Sequence, residues 1–255
     1  MSGQGYGSAS LGMYEPRTYR HWVSDKDLVS FSVEVKETDL LIRAGCDLKA
    51  KALAATKKCR AELEQYIISH PHFAISLEPL SVKKNAPSLV REMADAAQQV
   101  GVGPMAAVAG AIAERVGRDL LPFSDEVIVE NGGDIFIKTS HERLIGVYAG
   151  GSTLTGRIAF AIQPEETPLG VCTSSGSVGH SLSFGIADAV IVFSPSTSLA
   201  DAAATAIGNR VSSADDIPKA LEFARGIQGL KGAAVIKDDH MGLFGQIKIA
   251  DVDQE

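Results

Sequence analysis

The chain has 255 residues, of which 45% are hydrophobic and 22% charged, a composition that is typical of a globular protein with a sizeable core. Its formal net charge of −7 argues against a general nucleic-acid binder, because such proteins carry a basic surface. No apolar run reaches the length of a membrane span, and the N-terminus lacks the features of a secretory signal. Three cysteines without paired spacing suit a reducing compartment, so we expect a cytoplasmic protein without membrane or nucleic-acid partners.

The first part of the chain predicts a tail, a hairpin and a helix. Residues 1–18 are expected to form a flexible tail, and residues 19–255 a single domain. Alternating apolar residues around a polar KETD predict a β-hairpin over residues 27–45. Asp47 is the expected N-cap of the following helix, and Pro71 is expected to stop it.

Two further helices are expected over residues 87–100 and 104–118. Pro104 would occupy the first turn of the second helix, a position that tolerates proline. This helix is so rich in alanine and glycine that it has almost no polar face for two turns. We therefore expect it to be buried, with another backbone packed closely against it.

From residue 125 onwards the pattern is mainly that of β-strands. The sequence predicts strands in four segments up to residue 194, helices over 198–211 and 217–229, and two closing strands within 231–250. Ser198 is the expected cap of the first of these helices. The predicted class is α+β, with a mixed, mostly antiparallel sheet flanked by helices.

The helix segment LADAAAT contains a candidate metal-binding pair. Asp201 and Thr205 lie four residues apart, so their side chains share one face of the helix. A carboxylate and a hydroxyl are suitable ligands for Mg²⁺ or another hard divalent cation. The alternative is that Asp201 interacts with the helix dipole in the first turn while Thr205 packs in the core.

The segment ENGGDIF is a second candidate. Asn-Gly between apolar runs is a strong signal for a hairpin turn. Gly133 exceeds what a two-residue Asn-Gly turn needs, so Gly132 and Gly133 would let a ligand approach the backbone closely. Asp134 would then contact a polar group of that ligand.

The glycine-rich stretch over residues 169–185 permits two kinds of chemistry. Cys172 and His180 suggest a thiol nucleophile with its base, although Cys172 equally fits a buried small residue at a strand end. The hydroxyls and N–H groups of four consecutive residues instead favour an anion-binding nest: Thr173, Ser174, Ser175 and Gly176. His180 would then be a general base, since its ordinary pKa lies near neutral pH.

The order of these motifs carries a resemblance. NGGDI, TSSG, His180 and LADAAATA follow one another as in the ApbE-like flavin transferases. From about Tyr19 to Ile249, through VKETDL, VGPMAAVAGAIAE and GVCTSSGSVGHSLSFG, the chain resembles a sister family of archaeal and bacterial proteins with the ApbE-like fold. The segment GPMAAVAGAIAE differs from the corresponding transferase helix, because it has neither that helix's Asp nor its Lys.

The resemblance implies a function and a set of site residues. ApbE-like transferases bind FAD and, with Mg²⁺, transfer FMN to a threonine of a target protein. It implies that Asp201 and Thr205 hold the metal and that His180 is the acid–base residue. It also implies a cofactor-binding set for FAD or FMN: Gly132, Gly133, Asp134, Thr173, Ser174, Ser175 and Gly176.

Three hypotheses therefore remain. The first is a nucleotide-binding protein that acts as a flavin or nucleotidyl transferase on a protein acceptor. The second is a sulfur-handling protein linked to homocysteine formation in anaerobes, in which an exposed Cys172 or Cys46 carries the reactive thiol. Cys46 is a candidate because a helix N-terminus lowers a thiol pKa. The third is a non-catalytic ligand-binding or assembly subunit, and an oligomer fits all three.

Overall fold

The computed structural model describes residues 27–175 and 186–251 of the chain. These residues form three layers: a layer of helices, a large sheet and a small sheet. The predicted tail lies outside the described residues.

The large sheet has eight strands in the order β1-β2-β3-β4-β7-β8-β9-β10, and every neighbouring pair is antiparallel. Its strands are β1 Val29–Val35, β2 Thr38–Ala44, β3 Val127–Asn131, β4 Asp134–Lys138, β7 Leu169–Ser174, β8 Ala189–Ser194, β9 Gly232–Lys237 and β10 His240–Gly245. The small sheet is also antiparallel, in the order β11-β6-β5. It contains β5 Arg143–Gly146, β6 Ile158–Ile162 and β11 Lys248–Asp251. The chain therefore closes with three strands, where the sequence predicted two.

Six helices occur in the described residues: α1 Lys49–Ser69, α2 His72–Ile75, α3 Ser88–Val100, α4 Val108–Leu120, α5 Thr197–Gly208 and α6 Ile217–Arg225. A 3₁₀ turn over Pro104–Ala107 precedes α4, so the predicted helix over 104–118 begins as a tighter turn.

Two predicted helix caps were wrong by one or two residues. The cap position of α1 is Leu48, whose side chain accepts no hydrogen bond, and the Asp47 carboxylate accepts from the N–H of Lys49 instead. Ser196, not Ser198, caps α5, because its hydroxyl accepts a hydrogen bond from the N–H of Leu199. In both cases the helix is where the periodicity placed it.

The large sheet has a hydrophobic core on each face. Val129, Phe136 and Val192 point to the helices and pack with them. Ile137 and Ile191 point the other way and pack against the small sheet. Since successive strand residues face opposite sides, the strands in the middle of the sheet are buried on both faces.

Helix α5 is buried along its whole length between α4 and the large sheet. Two glycines make this close packing possible. A Cβ atom on Gly110 of α4 would lie 2.4 Å from the carbonyl oxygen of Thr197, and one on Gly170 of β7 would lie 2.5 Å from the Thr197 Cα. The predicted close approach of another backbone to the Ala/Gly-rich helix is therefore confirmed.

Within the described part of the chain, no single helix is long and apolar enough to cross a membrane. The segments Ser88–Val100 and Pro104–Phe123 meet the length and composition test only as a pair, which is bent by 107°.

Candidate functional site

The turn between β3 and β4 lies at one end of the large sheet. Asn131 pairs with Asp134, so Gly132 and Gly133 are the two turn residues. Their φ angles are +66° and +107°, in the region that glycine adopts without strain. The sequence interpretation, in which Gly133 exceeded the needs of the turn, was therefore wrong: both glycines are required by the backbone, and Asn131 belongs to the strand.

The register of β4 and β7 brings Asp134 beside Cys172. Ile135 pairs with Val171, so the preceding residue of β4 lies opposite the next residue of β7. Asp134 shares a face of β4 with Phe136, which packs against the helices, and Cys172 packs in the same core. Both side chains therefore point toward α5, which carries Asp201.

Asp201 reaches from α5 to the first turn of α4. Its Oδ2 accepts a hydrogen bond of 2.8 Å from the N–H of Gly110. The cap position of α4 is Ala107, whose side chain cannot accept a hydrogen bond, so Asp201 supplies an acceptor that α4 lacks. Asp201 is only 9% exposed, and burial raises its pKa to about 7 against the lowering effect of the Gly110 and Ala109 N–H groups.

Helix α4 caps α5 in return. The Glu114 carboxylate accepts a hydrogen bond of 2.7 Å from the N–H of Thr197, the first residue of α5. Each of the two helices thus provides a carboxylate for the first turn of the other. This reciprocal arrangement fixes the position of Asp201 relative to α4.

Asp134 is buried beside Asp201, at 7% exposure. Burial, and next the negative charge of Asp201, hold the pKa of Asp134 well above its ordinary value, although the Cys172 thiol and the Thr173 N–H lower it. Its Oδ1 has no hydrogen-bond partner in the described part of the chain. The main electrostatic feature of this site is therefore a pair of buried carboxyl groups that no cation among residues 27–175 and 186–251 compensates.

Asn131 belongs to this group, and the sequence reasoning missed it. Its Nδ2 donates a hydrogen bond of 3.1 Å to the carbonyl oxygen of Ala109, which joins the β3–β4 turn to α4. The Asn-Gly pair suggested a turn residue only. The spacing of Asn131 two residues after the buried Val129 could have indicated that it faces the helices.

The other predicted site residues are distributed around this pair. Thr205 is buried on α5, one turn after Asp201. Thr173, Ser174 and Ser175 are partly exposed at the end of β7, near the β3–β4 turn. The predicted residues Gly176 and His180 lie outside the described residues.

Cys172 has the properties of a structural cysteine. It is fully buried, and its Sγ donates a hydrogen bond of 3.4 Å to the carbonyl oxygen of Thr197. Burial, and then the charges of Asp134 and Asp201, raise its pKa well above the ordinary value, which disfavours a thiolate. The exposed position expected for Cys172 was wrong, so the sulfur-handling hypothesis loses one of its two thiols. Cys46 is exposed as expected.

A second acidic group lies at the far end of β3. Ligand atoms of Asp27, Glu126 and His141 lie within 4.8 Å of one another. Arg143 already compensates this group, because its guanidinium donates to Asp27 at 2.6 and 2.7 Å and to Glu126 at 2.7 Å. Although burial raises the pKa of Glu126, hydrogen bonds from Arg143, Ser140 and Thr139 lower it to about 2. This cluster is therefore an ion-pair network.

The metal-free protein is expected to lose stability as the pH rises from 5 to 8. The folded-state pKa of Asp201 is about 7, above the ordinary 3.8, so the folded state holds the proton more tightly than the unfolded state. The stabilisation that Asp201 contributes is therefore complete below pH 3.8. It is lost as the pH rises through about 7, and the loss between pH 5 and 8 is roughly 2 kcal/mol. Urea unfolding in EDTA at several pH values measures this. Asp201→Asn should remove the part of this pH dependence that Asp201 contributes, while Asp134, whose pKa burial also raises, keeps its own part. Equal losses in both proteins would contradict the assignment.

Comparison with solved structures defines the class of the fold. The structure is similar to the flavin transferase ApbE from Vibrio cholerae, with a TM-score of 0.60 and 13% identity over 85% of this chain and 96% of that chain. It is also similar to the ApbE protein from Thermotoga maritima, with a TM-score of 0.55 and 12% identity over 87% of this chain and 96% of that chain. The chain thus has the α+β fold of the ApbE flavin transferases, as the motif order predicted.

Comparison of sequences then gives the family. The family described as AbpE bacteria matches residues 20–248. A UPF0280 protein of Methanocaldococcus jannaschii is 44% identical over 221 residues, which cover 84% of this chain and 89% of that protein. A UPF0280 protein of Methanosarcina barkeri is 41% identical over 218 residues, covering 84% and 85%. The chain belongs to the AbpE bacteria family, and the archaeal UPF0280 proteins are its relatives.

Proposed function

We propose that this protein binds a flavin nucleotide, FAD or FMN, or a related pyrophosphate ligand together with Mg²⁺, and that it transfers a flavin or nucleotidyl group. The observation that carries the proposal is the pair of buried carboxyl groups, Asp134 and Asp201, beside a turn of two glycines. The ApbE-like fold supports it, because the similar solved structures are flavin transferases.

The residues at the site fit a divalent cation. Asp201 and Thr205 provide a carboxylate and a hydroxyl on one face of α5, and these are hard oxygen ligands. The unpartnered Oδ1 of Asp134 is the orphaned polar atom that a cation would satisfy. A bound Mg²⁺ would supply positive charge to a pyrophosphate bound next to it.

The chain's own groups would bind and orient the nucleotide. Gly132 and Gly133 leave the end of the β3–β4 turn without side chains, so a planar ring or a phosphate can approach the backbone. The hydroxyls of Thr173, Ser174 and Ser175 at the end of β7 would contact phosphate oxygens, together with the backbone at Gly176.

For the transfer step with FAD, we propose His180 as the group that removes a proton from the attacking hydroxyl of a protein acceptor. The hydroxyl oxygen would form a bond to the phosphorus of the FMN half, the pyrophosphate P–O bond would break, and AMP would leave with its electron pair. Cys172 has no part in this step, since its thiol is buried and already donates a hydrogen bond to a backbone carbonyl.

Thermal unfolding with FAD and with FMN, each with and without Mg²⁺, tests the proposal. We expect one flavin nucleotide with Mg²⁺ to raise the Tm on the order of 5 °C, and less without the cation. Asp201→Asn should reduce the effect of Mg²⁺, whereas Asp95→Asn, a change of an exposed acid on α3, should not. The proposal fails if no flavin nucleotide shifts the Tm of the wild-type protein under any of these conditions.

A further inference from the structure

We propose that Asp134 is a direct ligand of the cation and that Asp134 and Asp201 together bind one divalent metal ion before any nucleotide is present. This inference rests on the metal-dependent part of the proposed function and extends it. The resemblance to the transferases implies only that Asp134 belongs to the glycine turn that binds the flavin nucleotide.

The first argument is the hydrogen bonding of Asp134. Its Oδ1 is buried and unpartnered in the described residues, in a side chain that is more than nine-tenths buried. A buried carboxyl oxygen without a donor is unfavourable by a few kcal/mol unless another group compensates it. The polar groups that lower the pKa of Asp134, the Cys172 thiol and the Thr173 N–H, are neutral and contribute no charge.

The second argument is the absence of a basic partner. In the part of the chain that the structure describes, no Lys, Arg or His forms an ion pair with Asp134 or Asp201. The contrast is the cluster at the far end of β3, where Arg143 bridges Asp27 and Glu126. Among the described residues, the group at the far end of β3 has its cation, whereas the Asp134–Asp201 pair has none.

The third argument concerns the order of binding. A site with one carboxylate and one hydroxyl has too little charge to hold Mg²⁺ well, and it therefore depends on the phosphates of its substrate. A second carboxylate doubles the negative charge offered to the ion, so the nucleotide is no longer needed for binding. The contacts that hold both acids in place are present in the protein without any ligand. The Gly110 N–H donates a hydrogen bond to Asp201, and the pairing of β4 with β7 fixes the position of Asp134.

Titration of the full chain with Mn²⁺, without nucleotide, tests the inference. The free Mn²⁺ signal in electron paramagnetic resonance measures how much metal the protein binds. We expect one Mn²⁺ for each wild-type chain, and a Kd raised about 10-fold or more in Asp134→Asn and in Asp201→Asn. Asp95→Asn is the matched control and should bind as the wild type does.

A stability measurement shows whether the variants are folded, so that a loss of metal binding can be assigned to the missing carboxylate. Because each Asn removes one buried acid from a repelling pair, both variants should unfold in EDTA at a Tm no lower than that of the wild type. Mn²⁺ should then raise the Tm of the wild type and of Asp95→Asn, but not that of Asp134→Asn.

The outcomes separate this inference from the proposed function. If the wild type binds no Mn²⁺ without nucleotide, or if Asp134→Asn binds it as tightly as the wild type, the inference is wrong even where FAD and Mg²⁺ together stabilise the protein. If Mn²⁺ binds as expected but no flavin nucleotide does, the bis-carboxylate site is supported and the flavin function is rejected.

Discussion

Gly110→Ala is expected to destabilise the protein by about 3 kcal/mol, because the new methyl group meets backbone atoms that cannot rotate away. Its Cβ would lie 2.4 Å from the carbonyl oxygen of Thr197 and 2.8 Å from the Cβ of Asp201. Alanine normally stabilises a helix by about 1 kcal/mol relative to glycine, so the sign of the change is informative. Urea unfolding measures the loss.

Gly151→Ala is the control for this prediction. No described atom lies within 4 Å of the Cβ that it would carry, so its stability should stay within about 0.5 kcal/mol of the wild type.

In Gly110→Ala the separation of α4 from α5 should also weaken Mn²⁺ binding, since Asp201 is no longer held in position by α4. A stable Gly110→Ala protein with unchanged metal binding would show that the two helices do not position this carboxylate.

Arg143→Met is the second substitution with a large expected effect. It should lower the free energy of unfolding by about 3 to 5 kcal/mol. Arg143 is 4% exposed, and its removal leaves the Glu126 carboxylate buried without its cation. The wild type should lose stability as the pH falls from 4.5 to 2, because its folded-state Glu126 pKa of about 2 lies below the ordinary 4.5. Arg143→Met should largely lack this acid-dependent loss.

The exposed pair between Lys36 and Glu64 provides the comparison. Its Nζ and Oε2 atoms lie 2.6 Å apart, against 2.7 Å between Arg143 and Glu126, but water screens the exposed pair. Lys36→Met should therefore change the free energy of unfolding by less than about 1 kcal/mol. Comparable losses in the two variants would contradict the view that burial makes Arg143 important.

The sequence predicted most elements because their signals are local. Helix signals located α1, α3 and α5, and the Asn-Gly pair between apolar runs located the β3–β4 hairpin. The composition of α4 even indicated its close packing, since Ala and Gly leave room for a neighbouring backbone. The cap of α5 was misplaced, because Ser196 and Ser198 are both suitable caps and only the backbone conformation distinguishes them.

The sequence predicted individual site residues, but not the electrostatics of their arrangement. The proximity of Asp134 and Asp201 depends on how β4, β7 and α5 pack, and no spacing in the sequence reveals it. The burial of Cys172 could not be read from the sequence either, because it depends on how Thr197 of α5 packs against Gly170 of β7. The order of motifs gave the family, and the family model confirmed it, yet the charge of the site had to come from the three-dimensional structure.

The exchange of carboxylates between α4 and α5 has a consequence for how the protein opens. Each helix obtains a carboxylate acceptor for its first turn from the other, through Asp201 on Gly110 and Glu114 on Thr197, and α5 has the Ser196 hydroxyl as well. Neither first turn can unravel without freeing N–H groups and a carboxylate in its partner. The two helix starts therefore constitute one cooperative unit of local unfolding, assembled from segments 91 residues apart, and the candidate metal ligand lies inside it.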